Sequence, residues 1–162
     1  MVFTGPLGLG GIERSLLGLL DSIDYSQYEA DLFLYAHHGE LFSYINSGSV
    51  LLPEVKELAF LRESFKDKVR NGCWFSAAVR VRDEIRRLFS KDRAINFDRS
   101  WKLITDHCVP EIEKEYDLAI GFFRPFDLIK NKVRAKVKVG WIHTDYSSCE
   151  IDKREEDRKS VV

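Results

Sequence analysis

The sequence predicts an α/β domain built on a mainly parallel sheet, and three observations carry that prediction. Short apolar runs alternate with amphipathic helical segments in the order β-α-β-β-helices-β-α-β, the pattern of an α/β sandwich. The run Asp31-Leu32-Phe33-Leu34-Tyr35-Ala36 is almost continuously apolar, which suits a strand covered on both faces. A glycine turn, Gly8-Leu9-Gly10-Gly11, separates the first apolar run from the first helical segment. Sheets of this class bind ligands in the crevice beyond the carboxyl ends of their strands.

Each element has its own signal. Met1 to Thr4 reads as a first strand, ended by Gly5-Pro6. Ile12, Leu16, Leu19, Leu20 and Ile23 recur at helical spacing and predict a helix over 11–23 with one buried face. The strand over 31–36 closes in the loop His37-His38-Gly39-Glu40, and Val50-Leu51-Leu52-Pro53 forms a short third strand stopped by proline. Residues 55–108 read as helical. Leu58, Leu61, Phe65 and Val69 share a face, and Phe75, Ala78, Val79, Ile85, Leu88 and Phe89 share one in part. Asn71-Gly72 is expected to separate two helices. Asn96-Phe97-Asp98 is expected to be a second break, with Asp98 capping the helix that carries Trp101 and Ile104. Pro110 marks a boundary. Strands return over 116–123 and 136–143, joined by a short helix opened by Pro125 and continuing through Leu128 and Ile129. Trp101 and Trp141 are expected in the core, while Trp74 has no assigned place. Residues 150–162 hold nine charged residues of nearly balanced sign and read as a solvated tail. The expected organisation is a domain over 1–148 and a charged tail over 149–162.

Composition limits the function classes. At 162 residues, 44% of them hydrophobic, the chain is expected to be one domain with a real core. A net charge of -1 gives no support for broad nucleic-acid binding. No stretch approaches the roughly 20 apolar residues that span a bilayer, and no basic region followed by an apolar core opens the chain. Cys73, Cys108 and Cys149 are widely spaced, which suits a reducing compartment and argues against a disulfide scaffold or a zinc site.

The chemistry concentrates at the strand ends. Backbone N–H groups at Gly10 and Gly11 would face a phosphate at a helix N-terminus; the same residues also serve as a plain turn before an amphipathic helix. His143, with Asp145 two residues on, follows the last strand. A histidine there can hydrogen-bond a sugar hydroxyl or phosphate, or exchange a proton near neutral pH. Asp145 can accept from hydroxyls or orient the ring, or simply satisfy backbone in a turn. Glu13 suits the helix dipole by position, and Arg14 can pair with a phosphate or lie on the surface. His37, His38 and Glu40 look like metal ligands, yet adjacent side chains point apart and no third ligand group is evident, so they read as a polar loop. Two basic clusters stand out, one from Arg80 to Arg93 and one from Arg124 to Lys138. They read either as solvated faces or as surfaces toward an anionic membrane or acidic acceptor. No serine nucleophile elbow, phosphate-loop lysine motif or zinc-protease motif is present.

These residues resemble a known family. Gly8-Leu9-Gly10-Gly11-Ile12-Glu13-Arg14 before an aliphatic helix resembles the opening of GT-B glycosyltransferases of the family 4 type. Tyr25-Ser26-Gln27-Tyr28-Glu29-Ala30-Asp31-Leu32 is similar to that family's entry to its second strand. The stretch 116–122, followed by 136–146 with Trp141-Ile142-His143-Thr144-Asp145-Tyr146, is similar to its later strands. The resemblance covers residues 1 to about 148. It implies the N-terminal, acceptor-side half of a GT-B fold: a Rossmann-like, three-layer α/β/α domain of a cytoplasmic sugar transferase. Such an enzyme transfers a sugar from a nucleotide-sugar to a glycan or lipid-linked acceptor, usually with retention and without a required metal or other cofactor. It implies that Gly10 and Gly11 lie near the donor diphosphate and that His143 is the catalytic residue beside the transferred sugar. Arg14 and Asp145 are weaker carry-overs to donor binding.

The second domain of that family has no counterpart in this sequence. The expectation is therefore an incomplete enzyme, inactive without a C-terminal partner domain and with peripheral contact at the inner membrane face. Two other readings stay open: a non-catalytic module that binds a nucleotide or phosphosugar or assembles with a partner, and a truncated remnant.

Overall fold

A computed structural model of the chain describes residues 2–4, 6–61, 63–89, 93–122 and 126–143. It is an α/β structure. Among the described residues five strands form one sheet: β1 (Val2–Thr4), β2 (Asp31–Leu34), β3 (Val50–Leu51), β4 (Ile112–Gly121) and β5 (Val133–Gly140). Every pairing is parallel, and the order across the sheet is β3-β2-β1-β4-β5. The helices are α1 (Gly11–Asp21), α2 (Lys56–Ala59), α3 (Phe65–Arg70), α4 (Trp74–Phe89), α5 (Arg93–Cys108) and α6 (Asp127–Lys132).

The order explains where the helices pack. From β1 the chain steps one way, through α1 to β2; from β4 it steps the other way, through α6 to β5. Right-handed crossovers in opposite directions place α1 and α6 on opposite faces. The core agrees, because side chains alternate across a strand. Leu32 and Leu34 of β2 cluster with Leu16 and Leu20 of α1. Phe33 and Tyr35 cluster with Trp101 and Ile104 of α5 and Leu128 and Ile129 of α6. The fully buried Leu16 and Leu20 each contribute about 1.5–3 kcal/mol of burial, enough to hold a helix whose N-cap Gly10 supplies no side-chain hydrogen bond.

Several boundaries differ from the sequence expectation. The expected break at Asn96-Phe97-Asp98 is absent: α5 runs unbroken from Arg93 to Cys108, and Asp98 lies inside it. An Asn or Asp costs well under 1 kcal/mol inside a helix, less than burial of Trp101 and Ile104 returns. The expected single face of Leu58, Leu61, Phe65 and Val69 is divided. Ser64 caps α3 by accepting from the Asp67 N–H, and Phe65 opens that helix exposed. Asn71-Gly72 does end α3, with Gly72 at φ +76° as the left-handed residue beyond the cap. Both late strands begin before their expected starts, because Ile112 pairs with Val133 across a register shift. Trp101 is buried as expected, but Trp141 is 44% exposed. Its strand ends at Gly140, so its side chain stands beyond the sheet.

A polar clamp joins β2 to β4 below β1. The buried carboxylate of Asp31 accepts from the Tyr116 hydroxyl at 2.7 Å and pairs with Lys114 Nζ at 3.0 Å. Burial first, and then that carboxylate, hold the Tyr116 phenol well above the usual tyrosine range. A buried cation, Lys68, donates from Nζ to the carbonyl oxygens of Phe60 and Leu61 just past α2, and burial pushes its pKa down.

Candidate functional site

The strand order reverses between β1 and β4, and in open α/β sheets that reversal opens a crevice at the carboxyl ends of the strands. Three of the sequence-predicted residues, Gly10, Gly11 and His143, lie at that end of the sheet. Gly10 and Gly11 lie at the turn from β1 into α1, as N-cap and first helical residue. His143 follows β5, and its ring is drawn toward β4. It lies 4.4 Å from the Phe122 ring and 5.7 Å from Trp141, nearly parallel to the latter at 2°. Phe122 is fully buried in the same cluster as Leu7 of the glycine loop. One chain of packed side chains thus joins the loop after β1 to the histidine after β5.

The loop after β2 braces the glycine loop. Leu7 N–H donates to the His38 carbonyl at 3.2 Å, and Leu41 N–H donates to the Leu7 carbonyl at 3.0 Å. Gly39 makes this possible. Its φ is +123°, and a Cβ there would stand 2.0 Å from the Leu7 oxygen. The positive φ that glycine permits is used here at Gly39. Gly10, at φ −109° and ψ 166°, adopts a backbone open to any residue.

Space decides what the two loop glycines do. A Cβ at Gly11 would meet nothing within 4 Å, so the front of the helix N-terminus is open there. At Gly10 a Cβ would meet Glu13 Oε2 at 1.9 Å. The Glu13 carboxylate therefore folds back over the N-cap, placing an anion where the unpaired N–H groups favour one. A diphosphate at this turn would have to displace it. Arg14 lies exposed on α1, and Asp145 falls outside the described residues.

Two histidine nitrogens stand out. Nε2 of His143 and Nε2 of His37 are both buried with no hydrogen-bond partner among the described residues. Trp101 Nε1 and Thr105 Oγ1 in the core are likewise without a partner among the described residues; a buried polar atom left so costs about 1–3 kcal/mol. His37 is held by its backbone N–H, which donates to the Glu54 carboxylate at 2.5 Å, and its ring lies 5.8 Å from Phe42. His38 is exposed and contributes its carbonyl to the loop. Among the described residues no group of three or more His, Cys, Asp or Glu is placed to hold a metal ion.

Sequence reasoning missed Phe122, Gly39 and Glu54 as supports, and Glu13 as a competitor for the glycine turn. Phe122 carried a signal as part of an apolar strand run, and Gly39 as part of the loop that closes one; Glu54 carried none. Comparison with protein-family models, curated proteins and solved structures finds no match to this chain.

Proposed function

We propose that this chain is the acceptor-side half of a glycosyltransferase of the GT-B type, a Rossmann-like three-layer domain whose crevice receives the phosphate and sugar of a nucleotide-sugar. One observation carries the reading: the glycine turn after β1 and the His143–Phe122 pair after β5 and β4 converge on the reversal point of a parallel β3-β2-β1-β4-β5 sheet. In this reading the N–H groups at Gly10 and Gly11 stabilise negative charge on the leaving diphosphate. His143 uses its Nε2, which has no hydrogen-bond partner among the described residues, on the transferred sugar. Its ring is fixed against Phe122 and Trp141, which limits the entropy lost when it engages a ligand. The donor is a substrate, and a separate C-terminal domain would complete its site.

A second reading has its own support. The Glu13 carboxylate against Gly10 favours an assembly module that holds an acceptor and leaves the diphosphate to its partner domain.

The experiment is a titration of the chain with UDP, GDP and their sugar conjugates, followed by amide and imidazole NMR. Shifts at the Gly10 and Gly11 amides and the His143 ring, abolished in Gly11→Val, are expected for the first reading. Since Gly11 has open space around it, that variant should keep the fold. Shifts at His143 alone, with added glycans or phosphosugars, support the second. No perturbation at either place overturns both.

A further inference from the structure

β5 is an outer strand of the sheet, and its far side is open. It pairs in parallel with β4, and among the described residues no strand lies beyond it. At eight residues it is a long edge, whereas β3 at the opposite edge has two. Trp141 N–H donates to the Gly121 carbonyl at 2.7 Å. The N–H and C=O of one strand residue point to the same side, and those of the next residue point to the other. Ala135, Val137 and Val139 therefore direct theirs to β4, while Arg134, Lys136 and Lys138 direct theirs to the open edge.

The side chains alternate as well. Lys138 Nζ donates to the Lys130 carbonyl of α6 at 2.9 Å, and a Cβ at Gly140 would meet the Phe126 ring at 3.0 Å. Arg134, Lys136 and Lys138 therefore line the α6 side of the strand. Val137 and Val139 stand on the other side, 47% and 41% exposed, and Leu118, opposite Val137 in the register, is 43% exposed. Three members of the second basic cluster thus form one row along the outermost strand. The acids that answer it lie one strand inward: Glu115 is opposite Arg134, and Asp117 pairs with Lys136 at 2.6 Å. Two further acids nearby are on helices, Asp127 on α6 and Asp106 on α5, where the Lys132 ammonium donates to its carbonyl at 2.9 Å.

We propose that this edge takes up an extended segment of a partner protein in which acidic and apolar residues alternate, added beside β5 as a sixth strand of the sheet. In strand addition the main-chain hydrogen bonds supply affinity and alternate side chains supply specificity. Acidic side chains of the added strand stand next to Arg134, Lys136 and Lys138, on the side away from Glu115 and Asp117, and its apolar ones lie next to Val137 and Val139. Opposite charges on neighbouring strands attract and like charges repel. The same row turns away a second copy of this chain, since β5 set antiparallel against β5 places cations beside cations, a common protection of an exposed edge. A protection of one sign leaves the edge open to a strand of the other sign. This contact is independent of any sugar chemistry in the crevice.

The test is amide NMR of the whole isotope-labelled chain, titrated to about 1 mM with a peptide of alternating Glu and Val long enough to match β5. The amides of Arg134, Lys136 and Lys138 should shift and exchange more slowly with solvent, while those of Val137 and Val139, already directed to β4, exchange as before. A peptide of alternating Lys and Val should bind at least about tenfold more weakly. Lys136→Pro removes an outward N–H and leaves the β4 ladder intact, so it should abolish binding; Lys136→Ala, with the same loss of charge, should weaken it less than about fivefold. Arg134→Glu with Lys138→Glu should reverse the choice between the two peptides. Arg134→Gln with Lys138→Gln, which should remove the preference, replaces that pair if circular dichroism shows it unfolded. No shift at the three amides with the Glu peptide, equal binding of the two peptides, or unchanged binding in Lys136→Pro would overturn the proposal. So would a peptide-free dimer of the chain that protects the same amides.

Discussion

Replacing Tyr116 with Phe removes one hydroxyl from the clamp between β2 and β4 and leaves the ring in place. That hydroxyl donates to the buried Asp31 carboxylate at 2.7 Å, and a hydrogen bond to a charged group contributes about 1.5–3 kcal/mol. The carboxylate keeps Lys114 at 3.0 Å, so the loss stays below the 3–5 kcal/mol typical of a buried charge left alone. The expected cost is about 2 kcal/mol, or a fall in Tm of about 4–8 °C for a domain of this size. Lys114→Met should cost less than about 1 kcal/mol, because the Lys114 side chain is half exposed and exposed ion pairs contribute little. Urea unfolding followed by circular dichroism at neutral pH measures both. The difference between wild type and Y116F should also depend on pH. The folded-state phenol is held above the ordinary range, so its contribution is complete below the unfolded tyrosine value of about 10. It is lost as pH rises beyond that toward the folded value. Lys114 is raised as well, first by its hydrogen bond to Asp31, and acts in the same alkaline window. A Y116F variant within about 0.5 kcal/mol of wild type, or K114M costing more than Y116F, would refute the clamp as the source of this stability.

Other perturbations follow from the loops and thiols. Gly39→Ala should destabilise by at least about 3 kcal/mol in the same urea assay, combining the positive-φ cost with a Cβ 2.0 Å from the Leu7 oxygen. Gly11→Ala, with open space around it, should be neutral or stabilise by up to about 1 kcal/mol. Glu13→Gln should raise affinity for a nucleoside diphosphate about two- to fivefold by calorimetry and weaken α1 by about 0.3–1 kcal/mol in unfolding; a fall in affinity would make Glu13 a ligand contact instead of a competitor. Burial pushes the Cys108 thiol up to about 11, so its reaction with a disulfide reagent at pH 8 should run about 100-fold slower in the folded chain than in urea. In a completed two-domain enzyme, His143→Ala should cut turnover more than donor binding; unchanged turnover would end its proposed role.

Periodicity determined the elements whose signal is local. The apolar spacing of Ile12, Leu16 and Leu20 located α1, the continuous run at β2 marked a strand buried on both faces, and Asn71-Gly72 ended a helix through backbone conformation alone. The strand ends were legible for the same reason, so Gly10, Gly11 and His143 were already at the right end of the sheet. What tertiary structure decided depends on contacts between distant segments. Burial of Trp101 and Ile104 carried α5 through Asn96-Phe97-Asp98, and Trp141 emerged beyond the end of β5. Gly39 took the positive φ because the Leu7 carbonyl crosses it. Glu13 met Gly10 only through the fold-back of a side chain. A sequence pattern names the residues able to face a core; packing against distant segments determines which of them do, because burial energy outweighs local preference at each such position.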